Sequence, residues 1–159
     1  MNHITFRYAK EEDVSLVFSF VMKLAEYEGM PEAIKATEDS LREELFRQKR
    51  AEVLFVLVDE KEVGFSLFFE NFAAYTGHGG IFIDDLYVDP EYRGKGIGKA
   101  LIQEMAKITL ERGGVRLEWL CLKENTSSME FYKHIGGKTV DECVTFRVTG
   151  EALLEMINK

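Results

Sequence analysis

Asp89-Pro90-Glu91-Tyr92-Arg93-Gly94-Lys95-Gly96-Ile97-Gly98-Lys99-Ala100-Leu101 joins two segments of different character. Before it runs Ile81-Phe82-Ile83-Asp84-Asp85-Leu86-Tyr87-Val88, which reads as a strand; after it, the apolar residues from Ile97 to Leu110 recur at helical spacing. A glycine-rich, basic loop between a strand and a helix N-terminus is a place to hold a pyrophosphate. Glycines at 94, 96 and 98 admit backbone angles that other residues resist and let the chain come close to phosphates. The first-turn amides and the positive end of the helix dipole supply donors and field. Arg93, Lys95 and Lys99 add full positive charges.

Spacing excludes two other nucleotide loops. A P-loop needs Gly-Lys-Ser/Thr, and here Lys99 is followed by Ala100, so the magnesium-binding hydroxyl is missing. The dinucleotide fingerprint Gly-x-Gly-x-x-Gly fails by one residue in its last spacing. What remains, Arg93-Gly94-Lys95-Gly96-Ile97-Gly98, has the form Gln/Arg-x-x-Gly-x-Gly/Ala and resembles the acetyl-CoA loop of the GNAT family of N-acetyltransferases. The resemblance implies that Arg93, Gly94, Lys95, Gly96, Ile97, Gly98 and Lys99 hold the pyrophosphate. It also implies that the backbone at Leu86, Tyr87 and Val88 holds the pantetheine arm. A plain strand-to-helix turn is the alternative for any glycine-rich loop taken alone.

The 159 residues suit a single domain, 1–159, with a substantial core; there is no linker, repeat or low-complexity tract. Twelve phenylalanines point to a well-filled core or an apolar channel. No apolar run is long enough to span a membrane and no signal pattern opens the chain, so a cytoplasmic location is expected. Net charge −8 argues against nucleic acid or anionic membranes as partners. Cys121 and Cys143 read as buried free thiols, and His3, His78 and His134 are too scattered for a zinc site, so no metal is expected.

The element order is β-α-α-β-β-β-α-β-α-β with a closing helix. Strands are expected at 3–9, 53–58, 63–69, 81–88, 116–122 and 139–148, and helices at 11–28, from a cap at Thr37, and at 97–112, 127–134 and 151–157. Asp59 to Glu62 makes a hairpin turn, and residues 70–80, rich in Asn, Ala and Gly, read as a loop. This order fits a three-layer α+β fold around a mixed, mostly antiparallel sheet flanked by helices, and it matches the GNAT order over nearly the whole chain.

Acetyl transfer from a thioester to an amine needs the amine deprotonated, a donor for the developing oxyanion and a proton for the departing thiolate. Asp84 and Asp85 precede the proposed pantetheine strand, and strict alternation sends them to opposite faces, so at most one meets the thioester. An acid here is placed to take the proton through water, with Asp84 the first choice; solvated carboxylates are the alternative. Asn125-Thr126-Ser127-Ser128-Met129-Glu130-Phe131-Tyr132-Lys133-His134-Ile135-Gly136-Gly137 resembles the family's Asn-x-x-Ala/Ser-x-x-Phe-Tyr segment. That likeness implies that Tyr132 protonates the CoA sulfur and that Asn125 and Ser128 belong to the cofactor site. Without it, Phe131-Tyr132 reads as core packing. Gly136-Gly137 departs from the family's Gly-Phe.

Within the family the chain is most similar to the diamine and polyamine acetyltransferases, thialysine-type enzymes included. The likeness rests on Leu24-Ala25-Glu26-Tyr27-Glu28, Met30, Glu32, Thr37-Glu38, Asp84-Asp85 and Glu118-Trp119. It implies a direct transfer to a small cationic amine lined by Tyr27, Glu28, Asp84 and Asp85, and a homodimer in which 139–148 pairs or swaps. A solvated helix end is the alternative for the glutamates. The subfamily places additional substrate contacts at residues 70–80, which are shorter and less acidic here, so a shorter diamine or amino-acid-like amine is as plausible as a long polyamine. Another acceptor, such as a protein N-terminus or an aminoglycoside, and a silent CoA-binding module are the rival functions.

Overall fold

Six consecutive apolar residues from Val53 to Val58 demand cover on both faces of the strand that carries them. The computed structural model, which describes residues 3–158, supplies it. The sheet has strands β1 (Ile4–Tyr8), β2 (Glu52–Val58), β3 (Lys61–Ala73), β4 (His78–Val88) and β5 (Leu117–Trp119), in that spatial order. The first three pairings are antiparallel, and β4 with β5 is parallel.

Helix α1 (Val14–Tyr27) and the short α2 (Glu38–Leu41), which widens into a π-type turn over Arg42–Arg47, cover one face. There Val17, Phe20 and Leu45 meet Phe55, Phe65 and Tyr87. Helix α3 (Ile97–Glu111) covers the other, where Ile97, Leu101, Met105 and Ile108 meet Val56, Phe68, Ile83 and Val88. The three-layer α+β arrangement with a mixed, mostly antiparallel sheet is as expected. Among the described residues, no helix is long and apolar enough to cross a membrane.

The contacts divide the chain into two compact units, at Leu120/Cys121. The second contains α4 (Thr126–His134) and α5 (Glu151–Ile157). Within it, 139–148 forms no strand, contrary to expectation: the segment is exposed throughout, Val144 by 78% and Phe146 by 92%. Alternating side chains make a strand only when a neighbour takes the backbone hydrogen bonds, and none of the described residues does so here.

Residues 70–80 also depart from the reading as a loop. β3 and β4 pair to their tips, Glu70 with Ile81, Asn71 with Gly80 and Ala73 with His78, leaving only 74–77 as the turn. Glycine hid this strand, yet glycine is what the position needs. A Cβ on Gly80 would stand 2.6 Å from the Arg116 carbonyl oxygen and 2.9 Å from Asn71 Oδ1. The fifth strand is shorter than expected, and the thiols are less buried: Cys121 is half-buried and Cys143 exposed.

Candidate active site

Two adjacent carboxylates in an apolar strand raise the question of where each points, and the register of β4 answers it. Leu67 of β3 lies opposite Asp85 and Phe68 opposite Ile83, so Asp84 is an extra residue, a β-bulge. Ile81 and Ile83 pack on the α3 side, so Phe82 and Asp84 face the α1 side by alternation. Leu67 belongs to the α1-side core, and directly opposed residues share a face, so Asp85 lies on that side too, followed by Tyr87. Alternation predicts opposite faces; the bulge puts both carboxylates on one.

Glu28 joins them from the C-terminal end of α1. Burial pushes the Asp85 carboxyl up to about 7, and the charges of Asp84 and Glu28 push the same way. Glu28 is raised as well, first by burial and then by Asp84. Asp84 itself is exposed. Among the described residues no ion pair or hydrogen bond neutralises any of the three. Such a cluster attracts a cation, and a carboxyl poised near neutrality can take a proton and release it.

The bulge also marks the end of the parallel ladder. β4 pairs with β5 only from Ile81 to Ile83 against Leu117 to Trp119. Beyond it, β4 over Leu86, Tyr87 and Val88 has no strand partner on its β5 side among the described residues; the Val88 carbonyl accepts from Arg93. The chain then turns through Pro90–Tyr92 into the glycine loop. Gly94 and Gly96 have φ of +71° and +80°, angles that favour glycine, and Gly96 caps α3. Gly98, by contrast, is already helical. The first intrahelical acceptor is the Gly96 carbonyl, taken by the Ala100 amide at 3.0 Å, and no side chain caps the turn. The amides of Ile97, Gly98 and Lys99 are thus left for an anion, with the exposed Lys95 and Lys99 beside them.

Arg93 is held on three sides. Its Nε donates to the Val88 carbonyl at 2.8 Å, and its guanidinium lies 4.4 Å from the Tyr27 ring centre and 5.2 Å from that of Tyr87. Its terminal nitrogens have no hydrogen-bond partner among the described residues. Sequence reading missed the neighbouring contact, Lys23 Nζ to the buried Asp89 at 2.9 Å. The available signal was spacing: Lys23 and Tyr27 are four apart on a helix, as are Asp89 and Arg93 in the loop.

Tyr132, Asn125 and Ser128 lie in the second unit. Asn125 caps α4, its Oδ1 accepting from the Ser128 amide at 3.2 Å. Tyr132 is half-buried, its ring 5.5 Å from that of Phe131. The first unit by itself brings together Tyr27, Glu28, Asp84, Asp85, Tyr87 and Arg93.

The model of the acetyltransferase (GNAT) family matches residues 19–136. A thialysine N-epsilon-acetyltransferase of Bos taurus is 32% identical over 171 aligned positions, covering all of both chains. An L-ornithine N5-acetyltransferase of Arabidopsis thaliana is 33% identical over 116, covering 73% of this chain and 48% of that protein. Among solved structures, an integron cassette protein from the mobile metagenome of V. cholerae superposes with a TM-score of 0.81 at 25% identity, over 98% of each chain.

Proposed function

Because this chain belongs to the GNAT family, acetyl-transferring enzymes that use acetyl-CoA, we propose that its acceptor is the primary amine of a small, cationic, amino-acid-like molecule or short diamine. The transfer is direct, within a ternary complex. One observation carries the reading: Glu28, Asp84 and Asp85 converge on one sheet face without a cationic partner among the described residues, and one is poised near pH 7. An ammonium ion supplies the missing charge. The relatives act on thialysine and ornithine by name, and both carry a side-chain amine.

The roles follow from the chemistry. The carboxylates hold the ammonium, and Asp85 takes its proton, directly or through Asp84 and water. The neutral nitrogen attacks the thioester carbonyl carbon and a C–N bond forms; the nitrogen, now cationic, sheds its second proton to water, and the C–S bond breaks. Tyr132 gives its proton to the departing sulfur and recovers one from solvent. The α3 amides with Arg93, Lys95 and Lys99 hold the pyrophosphate, and the open β4 edge at Leu86 to Val88 holds the pantetheine arm; Asn125 and Ser128 are assigned to the same cofactor by family resemblance. Burial makes Asp85 the better candidate for the base, since a group near pH 7 is matched to proton transfer. The exposed, strand-patterned 139–148 is read as the part that a second copy completes, in a cytoplasmic homodimer.

The test is CoA release from acetyl-CoA with thialysine, lysine, ornithine, putrescine, spermidine, spermine and short peptides. The first four should be turned over most efficiently. Acetylation confined to peptides, or to no amine at all, would overturn this acceptor assignment.

A further inference from the structure

Helix α1 touches the cofactor loop at two points, spaced one helical turn apart on both partners. Lys23 reaches Asp89 across 66 residues of sequence, and one turn later Tyr27 lies under Arg93. The Lys23 ammonium also sits 4.9 Å above the Phe20 ring, which leans on Tyr87, the second ring beside Arg93. We propose that Tyr27 is a positioning residue for acetyl-CoA: by stacking on Arg93 it fixes the guanidinium at the loop entrance and clasps the acceptor end of α1 to the pyrophosphate loop. This rests on the reading of that loop as the CoA site.

The geometry makes the case in three steps. An arginine on a flexible loop has several rotatable bonds, and fixing it costs side-chain entropy before any phosphate is met. Two aromatic faces and the Val88 carbonyl have already restricted Arg93, while its terminal nitrogens keep their donors for an anion. Tyr27 is 50% exposed, so it contributes little to the core. Its neighbour in sequence is Glu28, one of the three acidic groups. The clasp therefore joins the two substrate sites, and whatever orders the loop also orders the carboxylate at the end of α1; the coupling runs equally in reverse.

The experiment uses CoA alone, without an amine, so that loss of an acceptor contact cannot mimic the result. Titration calorimetry and amide hydrogen exchange are run on the wild type, Tyr27→Leu, Tyr27→Phe, Arg93→Gln and the double variant that combines Tyr27→Leu with Arg93→Gln. Tyr27→Leu should weaken CoA binding about threefold to tenfold. In the unliganded protein it should also speed exchange at the Tyr92, Arg93 and Ala100 amides, which bond Asp89, Pro90 and Gly96. Tyr27→Phe keeps the ring and should restore both, and Tyr27→Leu should add nothing in the Arg93→Gln background. Wild-type affinity and exchange in Tyr27→Leu, or additive effects in the double variant, would overturn the proposal. Absence of CoA binding in the wild type would instead sink the cofactor-loop reading, with the exchange data still deciding the clasp.

Discussion

Replacing Asp85 by Asn should stabilise the protein at neutral and alkaline pH and abolish most of its activity. The folded state holds the Asp85 proton up to about pH 7, while the ordinary value is 3.8. Below pH 4 both states are protonated and the site costs nothing. As pH rises from 4 to 7 the unfolded chain releases its proton first, so stability falls, and above 7 the loss is constant. At about 1.36 kcal/mol per tenfold change in proton affinity the full loss is roughly 4 kcal/mol, of which roughly 2.5 falls between pH 5 and pH 8. Asn has the shape of the protonated acid and does not titrate. The stability difference between Asp85→Asn and wild type, from urea unfolding at pH 5, 6, 7 and 8, should therefore grow steadily in favour of the variant. A difference that stays flat, or shrinks, with pH would refute the buried, uncompensated carboxyl. The pH profile gives a second check: the wild-type acidic limb of kcat/KM near 7 should be missing from whatever activity the variant retains.

Tyr132→Phe should lower turnover by about 10²-fold while leaving CoA affinity by calorimetry near wild type, since the ring stays and only the proton donor goes; unchanged turnover would remove Tyr132 from the reaction. Sedimentation should show a dimer that Val144→Asp with Phe146→Asp converts to monomer. A wild-type monomer would leave 139–148 without its assigned role.

Much of this molecule can be read in advance because its signals are redundant. Val53–Val58 is apolar at every position and becomes a strand buried on both faces. Thr37 is followed three residues later by Ser40, and their side chains satisfy each other's amides as a reciprocal cap. The glycine loop is legible for the same reason: sequence spacing, charge and the strand before it all agree. Residues 70–80 mislead because glycine is read as an intrinsic weakness of strands, whereas Gly80 is demanded by the close approach of the Arg116 carbonyl. Residues 139–148 mislead in the opposite sense, since Val144, Phe146 and Val148 alternate as a strand does but alternation says nothing about which backbone will pair with it.

The error with most consequence concerns Asp84 and Asp85. Period-two reasoning assumes that no residue is inserted, and under it two adjacent carboxylates can never act together. One extra residue opposite Leu67 and Phe68 shifts the phase, so that Phe82, Asp84, Asp85 and Tyr87 all lie on the α1 side. Side-by-side carboxylates repel, and that repulsion, added to burial, is what brings Asp85 near neutrality. The bulge is thus the step at which a structural irregularity becomes chemistry. The Asp-Asp pair is its trace in the sequence: two consecutive charges inside an apolar strand fit a regular ladder only if one is pressed into a core, and a bulge relieves that conflict. Read that way, the pair predicts both the break in the β4 ladder and the acidic face, to which Glu28 adds a third carboxylate from the end of α1.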